Sequence, residues 1–373
     1  MVFASGTQLR QSIDSFAKGF VEGLGLIFLF ALTGCASGPS QPSNVAPSIQ
    51  SAQTGSGLRL TSIGVNRGGR LSPDGKRILF LSKDRAQHKN WQLYELNLEN
   101  FREKRITYHD GDCVEADYSP QGNKILYAST TDEIKERPVL VSPSGVSPLP
   151  ATELYLSDLK GTDIERLTRR PGYEGQFSWV GAKQFLYNVE NNQRLEIHSY
   201  VLGRGVPSVW QSDTKASLEM PTVDSSGTRT AWVIARLDAD PDLGLKIKGK
   251  ISSLKIPFQS IQSMQWISGI QKIPLLLMSA RKKDEKYLSA WILDPERKCI
   301  ASVFREPGDV KDLRTGQTQE KLLFTFQSGE NSQLFLREFP PLPTDCEPLK
   351  VEAPQTSDPA KSAADPQEHP KTP

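Results

Sequence analysis

Ser72-Pro73-Asp74-Gly75-Lys76-Arg77-Ile78-Leu79-Phe80 is echoed downstream by Ser119-Pro120-Gln121-Gly122-Asn123-Lys124-Ile125-Leu126-Tyr127. Each copy reads as a tight turn followed at once by a β-rich apolar strand. Pro presets φ at the turn, and Gly accepts the positive φ that the turn requires. Gly75 and Gly122 lie 47 residues apart. Weaker copies follow at Gly181 (Gly181-Ala182-Lys183-Gln184-Phe185-Leu186-Tyr187), at Gly227 (Asp224-Ser225-Ser226-Gly227 before Thr230-Ala231-Trp232-Val233), at Gly269 ahead of Leu275–Met278, and at Gly316 ahead of Leu322-Leu323-Phe324. The successive spacings are 47, 59, 46, 42 and 47 residues. Units of about 45 residues match the blade length of a β-propeller, with one insertion in the second unit.

The interior of a unit supports the same reading. After the turn and its strand comes a third strand such as Gln92-Leu93-Tyr94-Glu95-Leu96-Asn97-Leu98, in which Leu93, Glu95 and Asn97 alternate with Tyr94, Leu96 and Leu98. A short fourth strand ends in Arg105-Ile106-Thr107 in the first unit and Arg166-Leu167-Thr168 in the second. With the strand before the turn, that gives four strands per unit, as in a propeller blade. A β-sandwich would need five consecutive spacings to agree by chance. The expected fold is therefore all-β: a six-bladed β-propeller of four-stranded blades spanning residues 57–351.

Ser-Pro-Asp-Gly-Lys, then Ile-Leu-Phe, then Leu154-Tyr155-Leu156-Ser157-Asp158-Leu159-Lys160-Gly161, then Arg-Leu-Thr, resembles the TolB-type propeller repeat. The resemblance runs from about Leu58 to Leu349. Leu58-Arg59-Leu60-Thr61 also resembles the fourth-strand ending. The resemblance thus implies that an N-terminal strand completes the last blade, whose other strands begin near Pro307-Gly308, and so closes the ring. TolB proteins carry an α/β domain ahead of the propeller; this sequence is expected to lack it, with a linker in its place.

Ahead of the propeller, Leu24–Leu32 is an apolar run too short to span a bilayer but suited to a signal peptide's core, preceded by Arg10 and Lys18. It ends in Leu32-Thr33-Gly34-Cys35, which resembles a bacterial lipobox. Residues 1–34 are thus expected to be cleaved and Cys35 to carry the lipid, each buried CH₂ contributing about 0.8 kcal/mol to anchoring. An ordinary secretory signal with a chance cysteine is the alternative. Ala36, in place of an Asp, leans towards the outer membrane. Residues 35–56 and 352–373 are rich in Pro, Ser and other polar or small residues and read as a flexible linker and tail.

In a four-stranded blade, loops between the second and third strands share a face with the loops joining successive blades. Thr130–Ala151 and Arg236–Lys250 both read as long loops of that class. The blade-joining stretch Asp110-Gly111-Asp112-Cys113-Val114-Glu115-Ala116-Asp117 is acidic, and its counterpart in the next unit contains Tyr173 and Glu174. Asp110, Asp112, Glu115, Asp117, Tyr173 and Glu174 are the candidate partner-binding residues, with plain solvated loops as the alternative. Asp238-Ala239-Asp240-Pro241-Asp242 resembles the start of a calcium loop, but Leu243 and Gly249 stand where such a loop needs Gly and Glu, so it reads as a solvated turn.

A net charge of +2 with no basic block argues against nucleic acid. Four His and four Cys leave little for metal clusters, and no cofactor or metal is expected. No G-x-S-x-G or H-E-x-x-H motif occurs. Of His88, His109, His198 and His369, His109 alone adjoins the acidic loop. Beyond Cys35, an oxidising compartment permits one disulfide; Cys299–Cys346, near the outer strands of the last two units, is the preferred pair, leaving Cys113 free or paired between molecules. The leading expectation is a membrane-anchored scaffold binding an envelope protein or a peptidoglycan-associated partner. The alternative is a glycan lyase or hydrolase with an acidic, metal-assisted site at the channel mouth, for which His109 should converge with the acidic side chains. A small-molecule sensor would instead need an enclosed apolar pocket.

Overall fold

A computed structural model describes residues 57–131, 149–268 and 272–349. The signal stretch 1–34, Cys35 and its linker, residues 132–148, Gly269, and the tail from 352 lie outside the described residues. Six antiparallel sheets form six blades, each meandering outward from an inner strand. Blade one comprises Val65–Leu71, Arg77–Lys83, Gln92–Asn97 and Glu103–Arg105; blade two Cys113–Tyr118, Lys124–Ser129, Glu153–Asp158 and Ile164–Arg166. Blade three comprises Glu174–Trp179, Gln184–Asn191, Arg194–Val201 and Ser208–Gln211; blade four Ser217–Val223, Arg229–Arg236, Ala239–Ile247 and Lys250–Lys255. Blade five has Phe258–Ser268, Pro274–Lys282, Ser289–Asp294 and Cys299–Phe304; blade six has Asp309–Thr315, Lys321–Ser328, Asn331–Glu338 and, as its outer strand, Leu58–Arg59.

The repeated motifs have direct structural causes. In the Ser-Pro-Asp-Gly turn, Gly75 has φ of 69° and donates its N–H to Ser72 O at 2.8 Å, while Arg77 N donates to Ser72 Oγ at 3.0 Å. Ser119 and Gly122 reproduce the arrangement beside Pro120. In blade four, Asp224 replaces the serine and accepts from Arg229 N at 2.9 Å, with Gly227 at φ of 72°. The turn thus folds from local hydrogen bonds before the strand it launches is packed.

The Arg-x-Thr ending is equally mechanical. Arg105 Nε donates to Thr107 O, and Thr107 Oγ1 accepts from Leu93 N at 2.9 Å. Arg166 and Thr168 do the same for Leu154 N, and Arg59 and Thr61 for Leu334 N. The Thr hydroxyl extends each short outer strand by accepting one further backbone N–H from the neighbouring strand. Because Arg59-Leu60-Thr61 belongs to blade six, the signature that finishes blades one and two also closes the ring. Leu60 N donates to Leu334 O at 2.8 Å, and Thr61 Oγ1 donates to Gln333 Oε1 at 2.8 Å.

Two features differ from the sequence reading. Arg236–Lys250 is not a long loop: Ala239–Ile247 is the third strand of blade four, joined to the second by a tight turn at Leu237-Asp238. Pro241 is tolerated because the register shifts between Ile234 and Arg236, so the proline opposes no ladder position. The carboxylate of Asp242 is buried and held by Arg236 at 2.9 Å and Lys255 at 3.2 Å, so this stretch is a strand rather than a solvated turn. The second difference is at the C-terminus. After blade six the chain doubles back, and Glu347–Pro348 adds a fifth strand to blade five against Cys299 and Ile300. Cys299 and Cys346 are joined there by a disulfide with a Cα–Cα distance of 5.5 Å. Both cysteines therefore serve one blade, because the returning strand covers that blade's open edge.

Candidate functional site

All six inner strands carry a register shift at the same level of the channel: between Arg67 and Arg70, Cys113 and Glu115, Gly175 and Ser178, Glu219 and Thr222, Ile261 and Ser263, and Lys311 and Arg314. Such bulges leave a backbone N–H outside the ladder and re-aim a side chain. Gly68, Gln176, Met220 and Asp312 take positive φ at these points. The freed N–H groups are captured across blade boundaries. Gly68 N donates to Asp312 Oδ2 at 2.9 Å, Gln176 N to Glu115 Oε2 at 2.7 Å, Met220 N to Gln176 Oε1 at 3.1 Å, and Leu313 N to Ser263 Oγ at 3.0 Å. These bonds form a belt along the channel that ties blades together at four of the six blade boundaries.

The belt sits in a cavity of about 360 Å3 whose lining includes Arg67, Arg70, Trp91, Asp112, Glu115 and Arg314. Burial pushes the Glu115 and Asp117 carboxyls up, while the positive charges of Arg70 and Arg314 pull them back. Burial also acts on Asp312, but Arg70, the Gly68 N–H, Thr325 and Arg67 together hold it below the usual carboxylate range. Burial and the neighbouring Arg70 bring Arg314 down to about 9, so its guanidinium remains charged at neutral pH. Throat cations and anions thus offset each other. At the upper rim, the Arg67 guanidinium lies 4.2 Å from the centre of the Trp91 ring, and its Nε is buried without a hydrogen-bond partner. Asp112 Oδ1 accepts from Trp91 N at 2.7 Å, fixing that aromatic wall.

The six residues singled out from the sequence do not form one surface. Asp110 is exposed on the loop face, and Asp112 lines the upper cavity. Glu115 is a belt acceptor in the throat. Asp117 lines the opposite mouth, a depression of about 710 Å3 bordered by the Ser72-Pro73 and Ser119-Pro120 turns. This follows from strand direction: two residues along an inner strand carry the side chain from one mouth towards the other. Tyr173 is buried against Leu149 and Leu195, yet it lines the same channel cavity as Asp112 and Glu115. Glu174 points away from the channel into a separate cleft between blades two and three. Of the Thr130–Ala151 segment, Leu149 and Pro150 line the cavity. Arg67, Asp312 and Arg314 escaped the sequence reading, since no shared residue type marks the bulges that aim them; Trp91, just ahead of the third strand of blade one, was not singled out either.

His109 does not converge with the acids. Its Nδ1 donates to Gly111 O at 3.0 Å, and its Nε2 lies 3.4 Å from Cys113 Sγ and 3.5 Å from Ser129 Oγ. Among the described residues, no three His, Cys, Asp or Glu side chains group so as to hold a metal ion.

The solved structures most usefully compared share this ring. TolB from Acinetobacter baumannii matches with a TM-score of 0.52 and 13% identity over 74% of this chain, which spans 65% of that protein's length. A putative TolB from Agrobacterium tumefaciens matches with a TM-score of 0.50 and 14% identity over 74% of this chain and 91% of that one. The fold is a TolB-type propeller. An oligogalacturonate lyase from Vibrio parahaemolyticus also matches, with a TM-score of 0.50 and 12% identity over 76% of this chain and 93% of that one. A TolB-type propeller therefore occurs beside both TolB proteins and a lyase, and its fold alone does not choose between binding and catalysis. No family model matches the sequence, and no curated protein matches it.

Proposed function

We propose that this chain is a binding and scaffolding module of the cell envelope, anchored through lipid on Cys35 and engaging a partner protein at the upper channel mouth. The observation carrying this reading is the allocation of polar groups in the channel. Glu115 and Asp312, which an acid–base mechanism would use, are spent on the inter-blade belt. The rim instead offers the Arg67 guanidinium stacked on Trp91 with an unsatisfied Nε. A stacked arginine with a spare donor beside an aromatic face suits an acidic or carbonyl-rich polypeptide segment. The periplasmic side of the outer membrane is the favoured location, on the lipobox-like Leu32–Cys35 stretch and Ala36.

The test is crosslinked affinity capture from membranes, comparing the wild type with Arg67→Glu and with a variant lacking residues 132–148. A specific envelope protein retained by the wild type and lost by either variant supports the reading. Equal capture by all three sinks it. Membrane fractionation of Cys35→Ser tests the anchor separately: the variant should become soluble.

A further inference from the structure

The connection between blades two and three builds a second cleft, outside the channel and on the side of the ring. Its volume is about 410 Å3. Leu167 to Arg170, leaving blade two, form one wall. Glu174, Tyr187 and His198, from the first three strands of blade three, form the floor, and Gly205, Pro207 and Val209 close the far side. Two polar atoms of the floor are buried without any hydrogen-bond partner: Glu174 Oε2 and Tyr187 Oη. Glu174 is 2% exposed and Tyr187 0%. The Thr168 hydroxyl bonds the Glu174 carboxylate but leaves Oε2 unserved.

An orphaned buried polar atom is unfavourable, so two in one cleft mark a site awaiting hydrogen-bond partners. The charge layout narrows the choice. Arg169 and Arg170 stand exposed at the rim, and the charge of Arg170 reaches Glu174, Tyr187 and His198. His198 is held by Glu196 at 3.2 Å and is pushed by burial towards its neutral form. Glu153, whose charge also acts on Glu174, is paired with Arg166. A simple anion would meet the Glu174 carboxylate on the floor, and a simple cation would meet the arginines at the rim. Val209, 58% exposed, and Pro207 add an apolar wall.

We infer that this cleft binds a small zwitterion, an α-amino acid with an apolar side chain. Its ammonium donates to Glu174 Oε2 and Tyr187 Oη, its carboxylate meets Arg169 and Arg170, and its side chain lies against Pro207 and Val209. This site uses none of the channel residues and stands independently of the scaffold reading.

The test is isothermal titration of the purified protein with alanine, valine, leucine, methionine and phenylalanine in both enantiomeric forms. The best binder is then compared with its N-acetyl and amide derivatives. At least one amino acid should bind, and either derivative should bind at least about tenfold more weakly, the equivalent of one lost charge-assisted hydrogen bond. Glu174→Gln and Arg170→Ala should weaken binding to a similar degree, and Tyr187→Phe by a few-fold. Glu174→Gln removes a buried charge and Tyr187→Phe an unpartnered buried hydroxyl, so both should fold at least as well as the wild type at neutral pH, and thermal melts of each variant separate lost binding from unfolding. No heat from any of the ten ligands, equal binding of the N-acetyl or amide form, or wild-type affinity in Glu174→Gln would each overturn the inference.

Discussion

Replacing Asp312 with alanine removes the acceptor that joins blade six to blade one. In the native ring its Oδ2 takes the Gly68 N–H at 2.9 Å and the Thr325 hydroxyl at 2.8 Å, facing Arg67 and Arg70. The variant leaves two buried donors unserved and two guanidinium groups under-compensated. Breaking a buried charged network from one side costs roughly 3–5 kcal/mol. For a domain of this size that lowers the Tm by roughly 5–8 °C. Asp312→Asn keeps an acceptor but loses the charge, and should cost roughly 1–3 kcal/mol. The sign of the pH dependence follows from the depressed carboxyl. Its stabilisation is present above the unfolded value of 3.8 and is lost as pH falls through the lower native value. Both variants should therefore lose part of the acid-induced destabilisation below about pH 4. Urea unfolding followed by tryptophan fluorescence measures all three proteins. An unchanged urea midpoint for Asp312→Ala would refute the belt as a structural element.

Three further outcomes follow from particular residues. Burial raises Glu174 from 4.5 to about 7, so its ionisation opposes folding as pH climbs through that interval; Glu174→Gln should gain up to about 3 kcal/mol over wild type at pH 8 and little at pH 4, read from urea midpoints. Burial pushes the Cys113 thiol up to about 12, so it should resist a thiol reagent in the folded protein and react at once in denaturant. The Cys299–Cys346 bridge closes a sequence separation of 47 residues; Cys299→Ser should lose about 4 kcal/mol and make the segment around Cys346 protease-sensitive while the ring persists.

The parts of the fold legible in the sequence are those built by local chemistry. Ser72–Gly75 makes its turn from its own side chain and backbone, so any copy of the motif announces the same turn. Arg59-Leu60-Thr61 announced ring closure because Arg59 shapes its own strand end by bonding Thr61 O, and Thr61 then meets the neighbouring strand as Thr107 and Thr168 do in blades one and two. The belt was illegible for the opposite reason. Its acceptors are a carboxylate at Asp312 and Glu115, an amide at Gln176 and a hydroxyl at Ser263, each answering a backbone N–H on another blade. Nothing recurs for a pattern to catch. The acidic run from Asp110 to Asp117 misled in a related way: its members alternate along an inner strand and disperse from the loop face to the far mouth. Arg236–Lys250 read as a long loop, but a register shift that sequence alone does not reveal lets a strand pass through Pro241.

The upper mouth as the partner-binding surface is tested most directly by a photo-crosslinking amino acid placed in living cells at Trp91, beside Arg67, and at Ile251 on the exposed outer strand of blade four. The account predicts a discrete crosslinked envelope protein from position 91 and none from position 251. The same adduct from both positions, or adducts from 251 alone, would contradict it.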